Sequence, residues 1–162
     1  MSFQYYDIEN EIAAYLTPFL VNLADVIILP ENQSRYKIST EKGLVVVAYA
    51  GSDFDSPISS DTVYQVENIS IICNVTSSSL RDDTGVYNII AVLRDKLQGY
   101  RAANTSGRMY LKSVQFDDRN QDDAIFSFNV EFTCRKPSVQ TINDQDAGVP
   151  FAGNTVTLRD NY

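Results

Sequence analysis

The sequence has no histidine, no tryptophan and only two cysteines in 162 residues. Histidine is the commonest general acid and base near neutral pH and the commonest neutral metal ligand. Its absence removes the usual nucleophile-activating pair, and two thiols alone cannot complete an ordinary four-ligand zinc shell. Cys73 and Cys134 both stand in strand-like runs beside apolar neighbours. They are expected as reduced core thiols, with a disulfide or redox pair as the alternative. Cationic residues are also scarce. Thirteen Lys and Arg face 21 Asp and Glu, for a net charge of −8. A broad grip on nucleic acid needs the opposite balance, although an acidic wall would let DNA slide past without adhering. The longest apolar runs, such as "GLVVVAYAG", are too short to span a bilayer, and "MSFQYYDIENEI" lacks a basic leader region. A soluble, cytoplasmic chain is expected, with no membrane partner.

What is present is patterned for one α+β domain. Hydrophobic residues make up 44% and charged residues 21%, which is ordinary for a globular fold. Tyr5, Ile8, Ile12, Tyr15, Leu16 and Phe19 recur at helical spacing and predict a helix over 3–23, with Pro18 kinking it or stopping it early. "DVIILP" (25–30) predicts a short strand, followed by a polar connection with a further strand around Tyr36 to Ile38. "GLVVVAYAGS" (43–52) predicts a strand buried on both faces, and 53–61 a turn-rich loop. In the long strand expected over 62–77, Ile69, Ile71, Cys73 and Val75 share one face. "LRDDTGVYNIIAVLRDKLQGY" (80–100) predicts a second helix. Val86, Ile89, Ile90, Leu93 and Leu97 form its stripe, Asp82, Asp83 and Thr84 cap its start, and Gly99 stops it.

Two further strands, 107–119 and 122–134, flank the polar "DRNQDD" and read as an antiparallel hairpin. Ala124, Phe126, Phe128, Val130, Phe132 and Cys134 would face the helices. The domain is therefore expected over 1–136, as a mostly antiparallel sheet with two helices packed on one face. Residues 137–162 are polar with isolated apolar side chains and a strand-like "NTVTLRD". They are expected as an extended C-terminal arm reaching another chain.

No stretch assembles a reaction centre. Asp118, Asn120 and Asp122 have the opening spacing of a calcium loop, but Asp123 replaces its glycine and Asn129 its closing glutamate. A solvated turn is the simpler reading. Ser52 follows a strand without the glycine pattern of a nucleophile elbow. The start of the second helix has two Asp where a phosphate would sit, and they would repel it. No catalytic, metal or cofactor residue is expected, and the protein is not expected to be an enzyme.

Three ordered segments carry a family resemblance: "LVVVAYAGSDF" (44–54), "VTSSSLRDDTGVYNIIAVLRDKLQGYR" (75–101) and "FDDRNQDDAIFSFNVEFT" (116–133). Together they resemble the Mu-like phage tail terminator proteins, over roughly residues 4 to 134. That resemblance implies a hexameric ring at the head-proximal end of a phage tail, assembled in the host cytoplasm. Such a ring ends polymerisation of the tail tube and meets the neck or head connector. In contractile tails it also meets the sheath, and DNA passes through its lumen without specific binding. Another neck or tail component, of a phage or a contractile injection system, is the alternative. A small-ligand or catalytic domain is the rival from a different class. Candidate interface residues are Gly51, Ser52, Asp53, Phe54 and Asp55; Asp117, Asp118, Arg119 and Asn120; and Phe151, Val156 and Leu158 of the arm.

Overall fold

A computed structural model describes residues 4–32, 42–57, 62–103, 105, 107–118 and 124–141. The expected strand around Tyr36 to Ile38 and the arm beyond Thr141 lie outside them. The elements follow the order α1 (Tyr5–Leu16), β1 (Ala24–Ile28), β2 (Gly43–Phe54), β3 (Thr62–Ser77), α2 (Val86–Leu97), β4 (Tyr110–Asp117) and β5 (Phe126–Thr141). The strands form one sheet in the order β1-β2-β3-β5-β4. The chain divides into two compact units: Met1–Asp53 with Asn68–Lys136, and Phe54–Glu67 with Pro137–Tyr162.

In the larger unit, α1 starts where the Asp7 carboxylate accepts the Gln4 backbone N–H at 3.2 Å. An acid in the first turn also suits the helix dipole. Pro18 ends the helix early, as expected, and Thr17–Phe19 tighten into a 3-10 turn. Ile8, Ile12 and Leu16 are its buried face. Helix α2 buries Val86, Ile89, Ile90, Leu93 and Leu97, which is the expected stripe. Both helices pack on the sheet face formed by Val45, Val47, Ile69, Ile71, Cys73, Val75, Val130, Phe132 and Cys134. Each fully buried aliphatic or aromatic side chain there contributes about 1.5–3 kcal/mol.

The start of α2 differs from the expected cap. Gly85 is the N-cap, and no side chain caps the helix. Asp82 instead closes a local turn by accepting the Thr84 backbone N–H at 3.2 Å. The Asn88 side chain then reaches back to the carbonyls of Asp82 and Asp83. The polar residues before the helix therefore build a separate turn, and the helix begins two residues after Thr84. Gly99 has a left-handed backbone (φ 85°), but as the third residue of a turn in which the Tyr100 N–H donates to the Leu97 carbonyl at 3.0 Å, after Gln98 has already left the helix in an extended conformation.

The sheet is mostly antiparallel, with one parallel pair. β1 pairs with β2 in parallel, from Ala24 opposite Gly43 to Ile28 opposite Val47. A parallel pair needs a long crossover, and the segment between Ile28 and Gly43 supplies it. β2 and β3 are sheet neighbours joined by a short link, so they run antiparallel. β4 and β5 are antiparallel, with Phe116 opposite Phe128 and a bulge between Leu111 and Ser113. Contacts from Ser70 to Glu131 and from Asn74 to Ser127 run in opposite chain directions, which makes β3 and β5 antiparallel as well.

The phenylalanine face of β5 is only partly core. Phe132 is fully buried, but Phe128 is half-buried and Phe126 is exposed. β5 also continues through Pro137 to Thr141. In the smaller unit, the Asp55 backbone N–H donates to the Val66 carbonyl at 3.0 Å. The Gln65 side-chain amide donates to the Asp55 carbonyl at 3.2 Å.

Both cysteines are buried thiols that form no disulfide, in line with the expectation of reduced core thiols. Burial pushes the Cys73 thiol up to about 12, so it holds essentially no thiolate at neutral pH. Native protein titrated with a thiol reagent at pH 8 should release no colour on the minutes scale. Both thiols should react on unfolding in guanidinium. A second test concerns Gly85, where an added Cβ would lie 2.7 Å from the Leu80 backbone. Gly85→Ala is expected to lower stability by about 1–3 kcal/mol, read from the midpoint of a denaturant melt.

Candidate assembly surface

With both helices on one face, the opposite face of the sheet is left to its own side chains. Alternation places Ser70, Ile72 and Asn74 of β3 and Ser127, Asn129 and Glu131 of β5 there. They form a polar network. The Ser70 hydroxyl donates to Glu131, and Lys112 sits 3.4 Å from the same carboxylate. The Asn74 amide donates to Ser127 Oγ at 3.0 Å and Asn129 Oδ1 at 2.8 Å. The Ser70 hydrogen bond, helped by Lys112, holds the Glu131 carboxyl below its ordinary value against the opposing effect of desolvation.

The edge of the sheet at β4 has a different character. Tyr110, Val114 and Phe116 are exposed at 40–48%. The register puts Leu111, Val114 and Phe116 on the helix side, opposite Phe132, Val130 and Phe128. Phe116 meets Phe128 edge-on at 5.3 Å, and Phe128 meets Tyr87 of α2 at 6.1 Å. The Arg81 guanidinium lies 5.8 Å from the Tyr87 ring centre. An apolar stripe therefore runs out from under α2 and stays uncovered along β4. Beside it is an open groove of about 610 Å³, lined by Ala91, Arg94, Asp95, Gln98 and Leu111. Isolated exposed apolar side chains are ordinary, whereas neighbouring ones along a sheet edge mark a surface suited to being covered.

The interface residues expected from sequence fall in several places. Gly51, Ser52 and Asp53 belong to β2 itself, where a loop was expected from 53 onward. Gly51 has φ 123°, which suits only glycine. The Ser52 hydroxyl is 2.7 Å from that of Tyr49. With Ala50, Asn68 and Ser70, these three residues line a shallow groove of about 220 Å³. In the smaller unit, Phe54 and Asp55 are exposed. Asp117 is not an open turn residue: it ends β4 opposite Ser127 and is only 8% exposed. Asp118 is exposed. Arg119, Asn120, Phe151, Val156 and Leu158 lie outside the described residues. Two strands, β3 and β5, separate Gly51–Asp53 from Asp117 in the sheet. Sequence reasoning missed Tyr87, Val114 and the Glu131 network. The available signal was Val114 and Phe116 alternating with polar residues.

Among the described residues, no group of three or more His, Cys, Asp or Glu side chains could hold a metal ion. No described helix is long and apolar enough to cross a membrane. The fold is that of a small α+β protein with helices on one sheet face and a polar network on the other. The chain belongs to the Gp37 protein family, whose model matches residues 16–154. No curated protein matches it in sequence. Among solved structures, it is similar to a chain in the virion of a native gene transfer agent particle. That match has 12% identity and a TM-score of 0.48, and covers 80% of this chain and 90% of the other.

Glu131 gives this surface a pH signature. A carboxyl lowered on folding adds stability above its unfolded value of 4.5, and that stability is lost as pH falls through the lower folded value. Thermal melts from pH 6 to pH 3 should therefore show an acid-side loss that is shallower in Glu131→Gln. At pH 6 the variant should already melt below the wild type.

Proposed function

We propose that this chain is a structural protein of a phage tail or virion, and specifically a tail terminator. Six copies would form a ring that caps the tail tube, ends its polymerisation and joins the tail to the neck. The observation that carries this reading is the uncovered apolar stripe of Val114 and Phe116 on the β4 edge. A surface of that kind is satisfied by another protein. The ordered resemblance to Mu-like tail terminators supplies the particular assembly. The acidic balance suits a lumen through which DNA passes without adhering. The partners would be further copies of the chain, the tube protein, the neck proteins and, in a contractile tail, the sheath. The residues after β5, 142–162, act in this reading as an arm between chains.

Native mass spectrometry of the full chain, alone and mixed with tube protein, tests the proposal. A discrete six-copy species is expected in at least one of the two samples, located at the head-proximal tail end in electron micrographs of particles. A chain ending at Thr141 should keep its cooperative melt and assemble at least tenfold more weakly. A strict monomer in both samples, or absence from the tail in micrographs, would sink the reading.

A further inference from the structure

Charge is segregated along this chain. No Lys or Arg stands between Lys42 and Arg81, whereas Asp53, Asp55, Asp61 and Glu67 fall in that stretch. No Asp or Glu stands between Asp95 and Asp117, whereas Lys96, Arg101, Arg108 and Lys112 do. Arg94 adjoins this second stretch, and Asp95 itself is paired with Lys96 at 3.4 Å. The end of β2 is acidic and the start of β4 basic, and β3 and β5 lie between these two strands. Both ends fall on one transverse row of the sheet. Asp53 lines a groove with Asn68 and Ser70, Ser70 donates to Glu131, and Glu131 stands opposite Ser113 of β4.

The acidic end is open. β1 pairs with β2 only as far as Val47, so no described strand flanks the outer side of Gly51–Phe54. Phe54 is 51% exposed and stands between two exposed carboxylates, Asp53 and Asp55. The basic end offers the matching chemistry. Arg94, Ala91 and Leu111 line the groove between α2 and β4, beside the exposed Val114. Neither the Asp53 nor the Arg94 side chain has a partner among the described residues. We propose that the Asp53–Phe54 end of β2 from a second copy of this chain seats in the α2–β4 groove. The Phe54 ring lies on Leu111 and Ala91, and the Asp53 carboxylate pairs with Arg94. Within one copy this contact is out of reach, because three strand spacings hold β2 about 14 Å from β4. A second copy is selected because it carries the complement of the groove, in charge and in an exposed ring, on the opposite margin of the same sheet row. A contact between two different margins repeats from copy to copy and can close as a ring. This inference rests on the ring reading and names the contact that joins its subunits.

The test uses the full chain, alone and mixed with tube protein, with the share of ring read by native mass spectrometry. Arg94→Glu and Asp53→Arg each bring like charges together at the contact. Each is expected to weaken subunit association about fivefold, with circular dichroism unchanged because both positions are exposed. An equimolar mixture of the two variants restores opposite charges wherever unlike copies meet, and should assemble as the wild type does. That recovery cannot come from a contact inside one copy or from a variant that fails to fold. A wild-type ring whose single variants assemble equally well, or whose mixed variants do no better than each alone, refutes this contact and leaves the ring standing. A wild-type chain that stays monomeric in both samples refutes the ring and the contact with it.

Discussion

Ile89 of α2 occupies the space that a side chain at position 43 would fill. A Cβ on Gly43 would lie 2.6 Å from the Ile89 Cδ1 and 2.9 Å from the Thr76 carbonyl. A glycine at the start of β2 leaves room there for Ile89 and for the Thr76 carbonyl. Leu93 and Leu97 of the same helix are fully buried against the sheet. The chain leaving the helix turns at Gly99, whose N–H the Met109 carbonyl accepts at 2.7 Å. Helix α1 is then locked to that exit. Tyr15 stacks on Tyr100 at 4.1 Å, and the Tyr100 hydroxyl donates to Glu11 at 2.6 Å. Burial, and then this carboxylate, push the Tyr100 phenol upward, so the lock stays protonated under any physiological condition. Glu11 also accepts the Ala103 N–H, tying the first helix to the segment that leads into β4.

Much of this was legible in the residues. The stripes of both helices and the alternating face of β3 follow directly from periodicity, because burial on one side writes that period into the chain. The span of β3, Thr62–Ser77, coincides with the strand-like run. Less legible were features set by partners distant in sequence. Asp82, Asp83 and Thr84 look like caps, yet the choice between a cap and a separate turn depends on where Gly85 can approach Leu80. Phe126 and Phe128 look like core by alternation, but how much of β5 the helices cover depends on their length. The parallel pairing of β1 leaves no local trace, since orientation is decided by the crossover and not by the strand. For the surface, sequence pointed to loops, and the described structure places the exposed apolar patch on a strand edge.

The two faces of the sheet are stabilised in different ways. The helix face depends on buried area and shape, which pH scarcely affects. The opposite face depends on hydrogen bonds centred on Glu131 and Asn74, partly open to solvent. Such networks contribute modestly in net free energy, but leaving one member unpaired costs more than the bond contributed. The buried apolar face already specifies the register of these strands, and the hydrogen bonds on the opposite face match the same alignment.

The strand order also governs how the molecule comes into being. β5 is the last described strand in the chain but lies inside the sheet, between β3 and β4. β4 can reach the sheet only through β5, and β3 presents an open flank until β5 arrives. Completing the sheet requires β5 to pair with β3 across a long sequence separation. Closures of that kind slow folding and extend the time during which strand flanks are exposed. Until β5 pairs, the flank of β3 stays open to mispairing with another strand.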